Sequence, residues 1–83
     1  LAGDEFGILL SPIDAPNHAL DTAQTVVNAI RPPMALPGGV SLHVTASIGV
    51  ACPGPDIRDA NVALREADRA VYWAKSRGRD TAA

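Results

Sequence analysis

The segment from residue 40 to residue 50, VSLHVTASIGV, constrains the fold more than any other part of the chain. Aliphatic side chains alternate along it with polar or small ones. Successive side chains of an extended strand point to opposite faces, so this alternation gives one apolar and one polar face. The apolar set is Val40, Leu42, Val44, Ala46, Ile48 and Val50. The pattern predicts one long strand with a single buried face.

An amphipathic helix is predicted before this strand. Its apolar residues recur at intervals of three and four and must stop before Pro32-Pro33, because proline cannot continue a helix. They are Ala19, Leu20, Ala23, Val26, Val27 and Ile30. A cluster of helix breakers that includes Asp14, Pro16 and Asn17 precedes the helix and supplies side chains able to cap it.

A second amphipathic helix is predicted after the strand. Pro53-Gly54-Pro55 ends the strand, Asp56 can cap the helix, and Gly78 can end it. The apolar stripe is Ala60, Ala63, Leu64, Ala67, Val71 and Ala74. A stub of strand is predicted at residues 79–81.

The chain opens with a predicted turn and strand. Phe6, Ile8 and Leu10 alternate with smaller or outward residues, which predicts a strand over residues 6–11, and Gly3-Asp4 suits a tight turn before it. The predicted order is therefore strand-helix-strand-helix.

Composition limits the classes of function. The 83 residues make one small domain, and aromatics are only 4% of them, so alanine and aliphatic residues must supply the packing. A net charge of -2 gives no general attraction to nucleic acid or an anionic membrane, so we expect neither as a partner. Cys52, the only cysteine, excludes an internal disulfide and fits a reducing cytoplasm.

The acidic pair in the first turn has two explanations. Gly-Asp is common turn chemistry, so Asp4 and Glu5 can be solvated turn residues with no further role. Alternatively, their carboxylates can hold Mg²⁺, which prefers one or two carboxylates together with substrate phosphates. Such a site would suit phosphoryl or nucleotidyl transfer.

Three motifs in order carry a family resemblance. LAGDEFGILL, VTASIGVA and ALREADRAVYWAKSRGR resemble the C-terminal half of a GGDEF domain, the diguanylate cyclase family, over essentially all of residues 1–83. The resemblance implies an α+β fold, a two-layer palm or ferredoxin-like fragment with an antiparallel or mixed sheet. It also implies that the N-terminal half of the domain is absent from these residues.

The resemblance further implies an activity and its partners. Diguanylate cyclases condense two GTP molecules to cyclic di-GMP in cytoplasmic bacterial signalling, with Mg²⁺ or alternatively Mn²⁺, as homodimers in which each half contributes one GTP. A fused sensory or phosphodiesterase domain is a further expectation. The family's second metal-binding Asp, its guanine-contacting residues and its RxxD inhibition motif would precede Leu1, so we expect the fragment alone to be inactive.

Site residues follow from the same resemblance, position by position. Asp4 matches the metal-binding acid near the attacking 3′ hydroxyl, and Glu5 is its acidic neighbour; both are implied to be catalytic. Gly3 matches the glycine that packs close to the nucleotide. Lys75 and Arg79 match the basic pair that reaches GTP phosphates. Without the family, this pair would be explained as cations complementing a helix C-terminus.

The other matched positions are implied to be structural, with one departure. Phe6 is expected to anchor its strand in the core, and Ser47, Ile48 and Gly49 to form the strand beneath the site. Ala2 stands where the family usually has glycine. This supports an alternative function, a catalytically inactive GGDEF-like module that binds GTP or cyclic di-GMP and regulates a neighbouring domain. An unrelated structural domain is the third alternative.

Overall fold

A computed structural model describes residues 3–11, 15–54 and 59–83. Over these ranges the chain is α+β, as predicted. The elements in order are α1 (Pro16–Ile30), β1 (Met34–Ala35), a 3₁₀ turn (Pro37–Gly39), β2 (Ser41–Leu42), β3 (Ser47–Ile48), α2 (Ala60–Ser76) and β4 (Thr81–Ala82).

Helix α1 forms where the apolar spacing predicted it. Proline suits its first turn, where a missing backbone N–H costs nothing, and the buried residues Ala19, Ala23 and Val27 repeat every four positions along one face. The predicted side-chain cap is wrong: the N-cap residue is Ala15, which cannot provide one, and Asp14 lies outside the described residues. The helix ends before Pro32, as predicted.

Helix α2 also forms as predicted, with a different cap. The Asp59 carboxylate accepts a 2.9 Å hydrogen bond from the backbone N–H of Asn61. Asp56, the predicted cap, lies outside the described residues. Asp59 takes the role because the helix begins at Ala60, and a capping side chain must reach the first free N–H groups.

Strands β3 and β4 are parallel and joined through α2. Ser47 pairs with Thr81 and Ile48 with Ala82, and the backbone N–H of Val50 donates to the Ala83 carbonyl at 2.9 Å. Parallel neighbours need a crossover connection, which α2 provides. The predicted C-terminal strand is confirmed, shifted slightly to Thr81–Ala82.

Both helices pack against the β3–β4 pair. The buried core contains small aliphatic residues from each helix: Ala19, Ala23, Val27 and Ala74. Of these, Val27 and Ala74 are completely buried. The expectation that alanine and aliphatic residues supply the packing is therefore met.

The long strand predicted over residues 40–50 is wrong as a single element. Its first part, β2, pairs antiparallel with β1, whereas its last part, β3, pairs with β4. Val40 and Leu42 are 56% and 43% exposed, while Ala46, Ile48 and Val50 are half-buried. The apolar face of residues 40–50 is covered only where the helices pack against it. The alternating sequence pattern therefore predicted a longer strand than the one that forms.

The strand predicted over residues 6–11 is also absent from the structure. Gly3-Asp4 forms the expected turn, but the residues after it have no ladder, and the described element order therefore begins with a helix. Phe6 is 88% exposed, so it does not anchor a core here. A strand exists only with a partner, and the described residues provide none for this segment.

Helix α2 rests directly on the backbone of Gly49. A Cβ atom added there would collide with the Ala67 carbonyl oxygen and the Val71 backbone nitrogen, and would lie 2.7 Å from Cγ2 of Val71. These are mostly backbone atoms of a helix, which cannot move aside individually. Glycine is therefore required for β3 and α2 to approach this closely.

We expect Gly49→Ala to lower the free energy of unfolding by about 3 kcal/mol, the upper range for overpacking, because α2 must shift away from β3. The measurement is a denaturant melt of the purified protein. Gly54→Ala is the matched control, since its Cβ would meet no atom of the described residues within 4 Å, and it should change stability little. Equal midpoints for the two variants would contradict the contact.

Candidate functional site

The acidic turn is presented to solvent. Gly3, Asp4 and Glu5 are all exposed, and neither carboxylate has an ion-pair partner among the described residues. A Cβ added to Gly3 would meet nothing within 4 Å, so packing within the described chain does not require glycine there. The turn therefore leaves both carboxylates and the Gly3 backbone accessible to a ligand.

The donor set of this turn fits Mg²⁺ only together with a nucleotide. In residues 3–11, 15–54 and 59–83, no three His, Cys, Asp or Glu side chains come together to form a metal cage. Asp4 and Glu5 offer hard carboxylate oxygens, which Mg²⁺ accepts while drawing its other ligands from water and phosphates. The turn thus fits a metal ion that arrives with a triphosphate.

The basic pair lies at the C-terminal end of α2. Lys75 is in the last helical turn, and Arg79 is two residues before β4; both are exposed. The Gly78 N–H donates to the Lys75 carbonyl at 3.3 Å, and the Arg79 N–H donates to the Ala74 carbonyl at 3.1 Å. This pair of bonds, with Gly78 at φ 100°, is a Schellman motif. The predicted glycine stop is confirmed.

Gln24 of α1 and Arg31, the C-cap residue of α1, hold the segment that follows Arg79. Arg31 Nε lies 2.9 Å and 3.1 Å from the two carboxylate oxygens of Asp80. Gln24 Oε1 accepts hydrogen bonds from the backbone N–H of Ala82 at 3.2 Å and from Thr81 Oγ1 at 3.4 Å. Sequence reasoning missed both residues, because their partners lie 49 to 58 positions away and no local pattern marks them.

The predicted site residues fall into two groups. The chain brings Lys75 and Arg79 to one helix end, while Gly3, Asp4 and Glu5 lie on a segment without strand pairing. Within the described ranges, no ion pair joins the groups. An open groove of about 400 Å³ involves none of these five residues; it is lined by Leu20, Ala70, Trp73, Arg77, Ala82 and Ala83.

Comparison with known families identifies the family to which the chain is related. The family described as "Diguanylate cyclase, GGDEF domain" matches residues 1–81. This chain belongs to the GGDEF domain family. The acidic turn and the basic end of α2 both lie within the matched residues.

Curated relatives of this GGDEF chain are similar over nearly its whole length. It is 35% identical over 80 residues to diguanylate cyclase TpbB of Pseudomonas aeruginosa, covering 95% of the chain and 18% of that relative. It is 30% identical over 78 residues to diguanylate cyclase A of Treponema denticola, covering 94% of the chain and 21% of that relative. The chain therefore spans about a fifth of the length of these relatives. No solved structure matches it significantly.

Neither α1 nor α2 is long and apolar enough to cross a bilayer.

Proposed function

We propose that this GGDEF chain contributes the acidic turn and the basic helix end of a diguanylate cyclase domain, which condenses two GTP molecules to cyclic di-GMP. The observation that carries the proposal is the family match over residues 1–81. The carboxylates of Asp4 and Glu5 support it, because they are exposed, have no ion-pair partner among the described residues, and so are available to a metal and a nucleotide.

Each residue of the acidic turn has a role in the proposed reaction. Asp4 would hold Mg²⁺ close to the attacking 3′ hydroxyl, and Glu5 would supply a second carboxylate beside it. The chemistry that Mg²⁺ supplies when bound is neutralisation of charge on the phosphates. The carboxylate pair accepts the proton as the 3′ oxygen attacks the α-phosphorus of the other GTP and pyrophosphate leaves. Gly3 lets the nucleotide approach the backbone.

The basic pair binds the phosphates in this proposal. Lys75 and Arg79 donate charge-assisted hydrogen bonds to phosphate oxygens, which stabilises the charge on the leaving pyrophosphate. Two domains, each holding one GTP, pair so that each 3′ hydroxyl faces the α-phosphorus of the opposite nucleotide. The proposed setting is bacterial cytoplasmic signalling, in a longer protein with a sensory or phosphodiesterase domain.

An inactive module that binds GTP or cyclic di-GMP and regulates a neighbouring domain is the second candidate. Ala2 favours it, because a methyl group replaces the hydrogen of the family's usual glycine beside the nucleotide. The full-length protein distinguishes the two functions. The enzyme converts GTP to cyclic di-GMP and releases pyrophosphate, whereas the inactive module binds nucleotide without forming product.

In the full-length protein we expect Asp4→Asn to lower cyclic di-GMP production by a factor on the order of 100 to 1,000, because a neutral amide replaces the metal-binding charge. Product is measured at saturating Mg²⁺. Asp21→Asn, which alters an exposed acid on α1 with no assigned role, is the control and should retain activity. Full activity of the Asp4 variant would show that the acidic pair is only a solvated turn.

We expect Gly3→Ala to weaken GTP binding about tenfold while leaving the free energy of unfolding within about 0.5 kcal/mol of wild type. The reason is that the added methyl meets no atom of the described chain but would meet the nucleotide. Binding is measured by calorimetry and stability by a denaturant melt, with Gly54→Ala as control. Unchanged GTP affinity would remove Gly3 from the nucleotide site.

Replacing both Lys75 and Arg79 with Ala should weaken GTP binding and flatten its dependence on salt, because two charge-assisted phosphate contacts are lost. GTP titrations at two ionic strengths test this. The control is the double variant Arg65→Ala and Arg69→Ala, which removes equal charge from exposed positions nearer the start of α2. If the pair serves only the helix terminus, affinity stays constant and stability falls by roughly 1 kcal/mol.

A further inference from the structure

Arg79 and Asp80 have an unusual backbone. They are the non-glycine residues with positive φ among those described, at 65° and 52°. The left-handed region crowds Cβ against the backbone, and Arg has no short polar side chain to offset this. Residues remain in such conformations only when surrounding contacts impose them.

Arg31, the C-cap residue of α1, contacts the second of these two residues. Its Nε contacts both carboxylate oxygens of Asp80, and its Nη2 donates to the Asp80 backbone carbonyl at 3.3 Å. It therefore binds both the side chain and the main chain of that residue. The backbone N–H of Arg31 donates at 3.2 Å to the carbonyl of the fully buried Val27, which ties the Arg31 backbone to the end of α1.

Hydrogen bonds hold the backbone of Arg79 and the residue that follows it, while the Arg79 side chain is exposed. Its N–H is bonded to Ala74 at the end of α2, and the next residue is bound by Arg31. The Arg31 and Asp80 side chains are 45% and 33% exposed, and a pair this accessible to water contributes little to global stability. Its main effect is local, on the direction in which Arg79 leaves the backbone.

We propose that Arg31 is a positioning residue for nucleotide binding: by binding Asp80 it keeps Arg79 in the left-handed conformation from which the guanidinium contacts GTP phosphate. This inference rests on the proposed function, in which Arg79 binds phosphate. Without Arg31, the backbone of Arg79 and Asp80 relaxes toward negative φ and the Arg79 side chain takes other directions. GTP binding is then weaker by the free energy needed to order that side chain again.

A double-mutant cycle in the full-length protein tests the inference. GTP affinity is measured by calorimetry for wild type, Arg31→Ala, Arg79→Ala and the double variant. We expect Arg79→Ala to weaken binding about tenfold and Arg31→Ala about fivefold, with no further loss when Arg31→Ala is added to Arg79→Ala. Denaturant melts confirm that each variant is folded.

Two further variants separate positioning from simple charge. Arg31→Lys keeps the positive charge but cannot reproduce the contacts of a guanidinium with both carboxylate oxygens and the carbonyl, so it should bind GTP as weakly as Arg31→Ala. Arg77→Ala removes an exposed cation beside the same helix end and should bind GTP like wild type.

Several outcomes would overturn the inference. Wild-type affinity of Arg31→Ala, full rescue by Arg31→Lys, or an equal fivefold loss in the Arg79→Ala background would each exclude positioning through Arg79. Wild-type affinity of Arg79→Ala would remove the phosphate role of Arg79, and the inference with it. A loss for Arg79→Ala without one for Arg31→Ala would overturn the inference alone.

Discussion

The contact between Gly49 and α2 is the constraint on which the rest of the structure depends. Because no side chain separates the two backbones, α2 lies directly on β3 and returns the chain so that β4 can pair beside it. The core is small, and among the described residues three of the four buried ones are alanines. Packing by close backbone approach compensates for the scarcity of aromatic residues.

This packing fixes the basic end of α2 but not the acidic turn, the other half of the candidate site. The basic end of α2 is fixed by the Schellman bonds, by β4 and by the side chains of Gln24 and Arg31. The acidic turn belongs to a segment whose backbone has no ladder and in which Phe6 and Leu9 are about nine-tenths exposed. An unpaired segment with exposed apolar side chains is a surface for strand pairing. The geometry of the acidic turn therefore depends on contacts beyond those that fix the basic end.

The sequence predicted what depends on local interactions. Both helices were found from apolar spacing, because helical hydrogen bonds join neighbours in the chain, and the turn at Gly3-Asp4 and the glycine stop at Gly78 follow from single-residue geometry. Strand lengths were not predictable, because the split between β2 and β3 is decided by partners distant in sequence. For the same reason no pattern marked the Arg31–Asp80 pair. The site residues came from family motifs, since a Gly-Asp-Glu turn alone equally fits a solvated loop.

The proposed phosphate contact lies at the C-terminal end of a helix, where the electrostatic field is unfavourable to anions. Anions are favoured at helix N-termini, whereas a C-terminus carries partial negative charge and free carbonyl lone pairs that repel phosphate. Here the carbonyls of Trp73, Ala74 and Lys75 accept hydrogen bonds from the N–H groups of residues 77–79, which engages those lone pairs. The remaining negative field must be overcome by the cations that contact the phosphates, which in this proposal are Lys75 and Arg79. Displacing one of these cations therefore weakens phosphate binding for two reasons. Its own contact with the phosphate is lost, and the partial negative charge of the helix end is left uncompensated. Orientation of Arg79 therefore matters more at this end of a helix than it would at the other.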